Sequence, residues 1–125
     1  MAERVVENKS YAFAVKVVKF VRELKKETRE YELLTQLMRS GTSIGANVSE
    51  ATFAQGDKDF LFKHRIALKE ATETRYWLKL LRDTEIVDES AADEMIKDVS
   101  ELISILVKII QTTQKKIEKA AKPST

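Results

Sequence analysis

The scarcity of glycine and proline is the feature that most constrains the fold of this chain. Among 125 residues there are only three glycines and one proline, Pro123. An all-β or turn-rich fold recruits more of both, because tight turns depend on their backbone conformations. Long helices remain as the way to build a core, and the length suits one domain. The sequence therefore predicts a single all-α domain over residues 1–125.

Four segments repeat apolar residues every three to four positions, which is the spacing of one face of a helix. Only short linkers separate these segments. Short linkers favour antiparallel neighbours, so we predict an antiparallel up-down-up-down four-helix bundle followed by a frayed tail at 120–125. The predicted helices span about 10–28, 30–54, 57–84 and 89–119.

Capping residues indicate where these helices begin. Ser10 is the predicted N-cap of the first helix, and Asp57 is that of the third. For the fourth helix, Asp88 and Ser90 are alternative caps, the latter with an acidic residue three positions on.

Helices one and four are apolar around about half of their circumference or more. In helix one the second apolar track includes Tyr11 and Val18, and in helix three Phe62 widens the apolar face. Two apolar sides need two packing partners, so we expect a symmetric homo-oligomer. In helix two, Gly41 and Gly45 predict either a bend or a very close approach by another helix, because each glycine costs roughly 1 kcal/mol relative to alanine.

The charged residues are unevenly distributed along the chain. Lys and Arg total 22 against 20 Asp and Glu, and a net charge of +2 identifies no partner. However, helix one has a basic stripe opposite its apolar tracks, and the last turns of helix four are also basic. These cations are either a phosphate-contacting surface for RNA or a solvated face. The candidate nucleic-acid-binding residues are Lys16, Lys19, Arg22, Lys25, Lys26, Arg29, Lys115, Lys116 and Lys119.

A polar track runs beside the apolar face of helix two. We predict that it meets polar residues of helix three in a buried or interfacial hydrogen-bond network that fixes helix register. Arg39, Lys63 or Arg75 is expected to neutralise the carboxylates involved. The predicted structural network comprises Ser43, Asn47, Glu50, Glu70, Glu73 and Arg75.

No constellation for catalysis, metal binding or cofactor binding stands out in the sequence. His64 is the only histidine and Cys is absent, whereas di-metal bundles need two Glu-x-x-His pairs and serine hydrolases need a paired base. The glycines lack phosphate-loop spacing. We therefore expect no enzyme activity, no metal and no cofactor, with His64 in a structural role. Without cysteines or a membrane-length apolar run, the chain is expected to be cytoplasmic and to have no membrane partner.

Two segments resemble the four-helix-bundle family of 23S rRNA intervening-sequence proteins: RSGTSIGANVSEA at 39–51 and DFLFKHRIALKEATETRYWLKLL at 59–81. Members of that family share a Ser-Ile-x-x-Asn-x-x-Glu segment on helix two, found here at 43–50. They also share an Ala-Leu-x-Glu-Ala-x-Glu-Thr segment on helix three, found here at 67–74. Many relatives place proline where this chain has Gly45.

The resemblance implies a ring-shaped homo-oligomer, commonly a homopentamer, and it implies no catalytic residues. Accessory variability proteins of diversity-generating retroelements resemble the same bundle, and there the ring is associated with a reverse transcriptase and its RNA or DNA. We therefore expect a bacterial, non-catalytic oligomeric scaffold that binds structured RNA, a ribonucleoprotein or a nucleic-acid-processing protein. The alternative is a protein–protein interaction module that binds no nucleic acid.

Overall fold

The computed structural model describes the backbone of residues 2–123 and the side chains of residues 4–123. Four α-helices and no β-strand occupy this range. The all-α, four-helix prediction is therefore confirmed. The helices are α1 Ala2–Glu27, α2 Tyr31–Ala51, α3 Asp57–Asp83 and α4 Glu89–Ala121.

The first helix begins well before the predicted N-cap. α1 starts at Ala2, and Ser10 lies inside it, fully buried, with its hydroxyl donating to the backbone carbonyl of Glu7 at 3.2 Å. Serine makes this local bond inside a helix as well as capping one, so its type alone does not mark a helix start. Val6, buried in the same core, extends the apolar track by nearly two turns before Phe13. The Ser10 cap is thus wrong.

The other helix ends differ from the predictions by a few residues. α2 ends at Ala51, and Gly56, with φ of 98°, is the N-cap of α3 in place of Asp57. That backbone conformation favours glycine, and no side chain caps the helix there. At α4 the alternative is resolved, because Asp88 accepts a hydrogen bond from the Ala91 amide at 3.2 Å. α4 also continues to Ala121, into the predicted frayed tail, whose last two residues, at 124–125, lie outside the described range.

The core lies between all four helices. α1 packs against α2 and α4, and α3 packs against the same two helices. Each fully buried leucine contributes roughly 1.5–3 kcal/mol relative to an exposed one. Two ion pairs show that α1 and α4 run in opposite directions. Lys9 pairs with Glu101, whereas Lys16, further along α1, pairs with the earlier α4 residue Asp98. Core residues with little or no exposure include Val17, Val21, Leu34, Leu37, Ile44, Leu78, Leu81, Leu102 and Leu106.

The glycines of α2 lie where α1 comes closest. A Cβ atom added to Gly41 would lie 2.8 Å from Cγ2 of Val17, and one added to Gly45 would lie 3.2 Å from the backbone oxygen of Ser10. Because α2 is helical through both positions, the two glycines serve helix packing. The close-approach alternative is confirmed.

Two aromatic residues assigned to apolar faces are exposed. Tyr11 of α1 is 71% exposed and Phe62 of α3 is 59% exposed. Trp77 of α3, by contrast, is half-buried against the core. Helical spacing gives the direction of a side chain but not what covers it, so these two rings lie on apolar tracks yet face solvent in the single chain.

Candidate nucleic-acid interface

Lys16 of the predicted basic stripe faces an acidic part of α4. Its Nζ lies 2.6 Å from Oδ2 of Asp98 and 3.3 Å from Oε1 of Glu94. The hydrogen bond from Lys16 to Asp98 raises the pKa of the Lys16 ammonium above its ordinary value. Lys26 is paired as well, with Glu23 of its own helix at 3.1 Å. Both charges are therefore largely offset locally.

The other four cations of the predicted basic stripe remain available to a partner. They are exposed, and within the described range no carboxylate oxygen lies within the 4.0 Å of an ion pair. Their charge is directed into solvent from the last three turns of α1 and the residues that follow it. These unpaired residues are Lys19, Arg22, Lys25 and Arg29.

The basic carboxy-terminal turns of α4 lie at the opposite end of the bundle. Lys116 pairs with Asp57, at the start of α3, at 3.3 Å, whereas Lys115 and Lys119 are exposed without an ion pair in the described range. Asp98, which pairs with Lys16, and Lys116 are separated by roughly 27 Å along α4, at 1.5 Å per residue. α1 then continues away from Lys116, so the two predicted basic groups are not brought together.

The polar track of α2 does not form the predicted network within the chain. Ser43 donates to the backbone carbonyl of Arg39 at 2.7 Å, and the Asn47 amide donates to the carbonyl of Ser43 at 2.9 Å. Both bonds remain inside α2. Arg75 donates to Ser100 of α4 at 3.4 Å, so it joins neither the α2 track nor its carboxylates. Polar residues in a helix have this local alternative, which their spacing cannot exclude.

The carboxylates of the predicted network form three ion pairs, two with Arg39 and one with Lys63. Arg39 contacts Glu73 and, at 3.5 Å, Glu70. Lys63 lies 2.8 Å from Glu50, and this hydrogen bond raises the pKa of Lys63 above its ordinary value. Neutralisation by Arg39 and Lys63 is confirmed, whereas Arg75 takes no part in it.

A buried hydroxyl pair was missed as a network. Thr74 Oγ1 donates to Ser40 Oγ at 2.9 Å, and neither side chain is exposed. Both residues follow the apolar spacing of their helices, Ser40 one turn before Ile44 and Thr74 one turn before Leu78. A hydroxyl on each of two core tracks is the sequence signal that would have found the pair.

The sequence model of the 23S rRNA-intervening sequence protein family matches residues 3–108. This chain belongs to that family. The match confirms the resemblance derived from the helix-two and helix-three motifs, and it covers most of all four helices. A search of curated protein sequences finds no match.

A solved structure of a relative supports the same assignment for this family member. It is a protein of unknown function from the S23 ribosomal protein family of Bacteroides thetaiotaomicron, 44% identical in sequence. The alignment covers 89% of this chain and 99% of that one, with a TM-score of 0.86.

His64 of this intervening-sequence family member is packed and hydrogen-bonded inside the bundle. His64 is buried, its Nδ1 lies 2.9 Å from the Phe60 carbonyl oxygen, and its ring centroid lies 4.3 Å from that of Phe60. Among residues 4–123 no three acidic or histidine side chains converge as a metal site. Within the described helices, none has the length and apolarity required to cross a bilayer.

Proposed function

We propose that this family member is a non-catalytic scaffold that binds structured RNA or a ribonucleoprotein through backbone phosphates. The observation that carries the proposal is the group of α1 cations without an ion pair. Folding does not require them, because they contact no carboxylate in the described range. Such a surface binds by charge and shape and not by base sequence. These residues are Lys19, Arg22 and Lys25 of α1 and Arg29 just after its end, which together we call the unpaired α1 cations.

We further propose that the bundle is up-down-up-down and that copies assemble into a ring, a homopentamer by analogy with the family. The order of the Lys9 and Lys16 partners along α4 supports the first point. Exposed Tyr11 and Val15 on α1 support the second, because they leave apolar surface uncovered in one chain. A ring would present one set of the unpaired α1 cations per copy. An RNA that contacts several copies at once would then bind more tightly than it binds a single chain.

The test is RNA binding across a salt series. Lys19→Gln with Arg22→Gln removes two of the unpaired α1 cations, and fluorescence anisotropy measures affinity for a labelled RNA hairpin. We expect the slope of log affinity against log salt to become shallower by up to about one unit per lost phosphate contact.

The matched control is Lys97→Gln with Lys108→Gln, which removes two exposed α4 lysines and leaves the same net charge as the test variant. Binding that depends on α1 is weakened by the first variant and little changed by the second. Equal losses would indicate a response to net charge alone. No binding by the parent at low salt would refute the proposal.

The second candidate is a protein–protein interaction module without nucleic-acid binding. It is favoured by the exposure of Tyr11, at 71%, beside half-buried Val18 on the surface of α1. If hairpin binding fails while Tyr11→Ser changes the mass of the assembly in light scattering, this reading replaces the RNA scaffold.

A further inference from the structure

The outward side of α3 carries a regular series of cations and aromatic rings. Its residues are separated by three, four or seven positions, and at 100° per residue they stay within a sector about 100° wide. The core residues Ala67, Ala71 and Leu78 lie on the opposite side of the same helix. We call this series the α3 outer face; it consists of Lys58, Phe62, Arg65, Lys69, Tyr76 and Lys79.

The aromatic rings of the α3 outer face are directed into solvent. Phe62 is 59% exposed and Tyr76 is 58% exposed. They are fourteen residues apart in sequence, which separates them by roughly 21 Å along a helix rising 1.5 Å per residue. Two exposed rings at this separation offer flat apolar surfaces on which the bases of a nucleic acid can stack.

The cations of the α3 outer face form no ion pair within residues 4–123, although, together with the hydrogen bond from Arg82, the charge of Lys79 helps to lower the pKa of Asp83 at the end of the helix. None of Lys58, Lys69 or Lys79 has an ion pair in the described range, and the Arg65 guanidinium donates to the neutral Gln114 at 2.9 Å. The α3 carboxylates Glu70 and Glu73 are engaged by Arg39 on the α2 side. The face therefore combines exposed rings with uncompensated positive charge.

We infer that the α3 outer face binds a single-stranded RNA segment, whose bases stack on Phe62 and Tyr76 while Arg65 and Lys69 contact the phosphates between them. Aromatic platforms with tracking cations are the usual chemistry of single-strand binding, over sites of about 4–16 nucleotides. The choice of RNA over DNA rests on the function proposed above. The single-strand chemistry rests on α3 alone.

Other occupants fit the face less well. A duplex keeps its bases stacked on one another, so it offers phosphates to the cations and nothing to the rings. A helix of another protein would need an acidic stripe to face four cations. A second copy of this chain offers acidic residues on α4, of which Asp98 and Glu94 are engaged by Lys16 and Asp93 by Arg82.

Anisotropy with a labelled oligoadenylate of about twelve nucleotides tests the inference. Phe62→Ala and Tyr76→Ala should each weaken binding about fivefold or more, with little change in the salt slope. Phe62→Tyr and Tyr76→Phe keep a ring and should bind like the parent. Lys69→Gln should instead make the slope shallower by about 0.7, the value for one phosphate of a single strand.

Trp77 supplies a second measurement. It is the only tryptophan, and its ring centroid lies 5.1 Å from that of Tyr76. Saturation with oligoadenylate should change Trp77 emission in the parent and leave it unchanged in Tyr76→Ala.

The matched control is Phe53→Ala, because Phe53 is 85% exposed in the α2–α3 loop and lies off the α3 outer face. It should bind oligoadenylate like the parent. The inference is overturned by parent-like binding of both ring deletions, by an equal loss in the control, or by an equal loss of hairpin binding. A ring deletion that changes the mass of the assembly would assign the face to a second copy and overturn it too.

The two proposals fail separately in this design. If Lys19→Gln with Arg22→Gln leaves hairpin binding unchanged while the ring deletions lose oligoadenylate, the α1 scaffold role is wrong and the α3 inference stands. The reverse pattern refutes the α3 inference alone.

Discussion

Thr74 Oγ1 of α3 donates a hydrogen bond to Ser40 Oγ of α2 across 2.9 Å, with both side chains excluded from solvent. Ser40 Oγ in turn lies 3.5 Å from the Leu37 carbonyl, and Thr74 Oγ1 lies 2.7 Å from that of Glu70. In the described part of the chain no buried side-chain nitrogen or oxygen lacks a partner. The pair thus satisfies the polar groups that the α2–α3 contact buries.

Removing one hydroxyl of this pair should cost more than removing both. We expect Thr74→Val to lower the free energy of unfolding by about 1–2 kcal/mol, because Ser40 loses its cross-helix partner in a dry site. Adding Ser40→Ala should recover part of the loss. A double-mutant cycle by urea unfolding measures the coupling, and strictly additive losses would show that the two hydroxyls act independently.

The close contact between α1 and α2 predicts an effect opposite to helix propensity. Gly41→Ala gains roughly 1 kcal/mol of propensity, but its methyl would lie 2.8 Å from Val17, a stiff, fully buried side chain. Overpacking of this kind costs about 1–3 kcal/mol. We expect Gly41→Ala to lower the free energy of unfolding in urea. The decrease that Gly41→Ala causes should be smaller when it is measured in a Val17→Ala background. A more stable Gly41→Ala variant would contradict the packing described here.

The ion pairs of Arg39 and of Lys63, which join α2 to α3, should differ in their contribution to stability. Glu70, one partner of Arg39, has a side chain only 13% exposed, whereas Glu50, the partner of Lys63, is 58% exposed. Arg39→Met leaves mostly buried carboxylate charge and should cost about 1–3 kcal/mol.

Lys63→Met is the matched control for this comparison. Its partner is well solvated, so the loss should be much smaller than for Arg39→Met. Adding Glu73→Gln to Arg39→Met should restore part of the stability. Thermal unfolding of the three variants measures these differences, and equal losses for Arg39→Met and Lys63→Met would contradict the ranking.

The Lys16 ion pair predicts a change in stability at alkaline pH. The folded-state pKa of Lys16 is raised above 10.5 by Asp98, so its stabilising contribution is complete below pH 10.5. That contribution is lost as the pH rises through the raised value. The stability gap between the parent and Lys16→Gln should therefore close at high pH. Lys97→Gln, which removes an exposed lysine without an ion pair, should show no such trend in urea unfolding.

The sequence predicted what depends on periodicity within one helix. Four helices and the core track through Leu37, Ile44 and Val48 follow from three-to-four-residue spacing. The start of α1 was missed because a buried serine inside a helix has the same side chain as a capping serine. Val6, at helical spacing before Ser10, was the signal that the helix continues.

Which residues of two neighbouring helices meet depends on how the helices are aligned, and the spacing of residues within each helix does not determine that alignment. The α2 polar track was identified, yet Arg39 selects Glu73 while Asn47 bonds within its own helix. The exposure of Phe62 likewise depends on how far α2 and α4 reach around α3. For the candidate interface, the sequence identified the basic residues of α1 but not which of them, such as Lys16, are neutralised by α4.

The separation between the basic end of α1 and Lys115 and Lys119 of α4 sets a length requirement on any RNA that contacts both. The helices place these groups roughly 40 Å apart at 1.5 Å per residue. An RNA shorter than this separation reaches one end of a bundle at a time. For single chains, affinity as a function of RNA length should then rise in two stages, with the second beginning only when one molecule extends along the whole bundle.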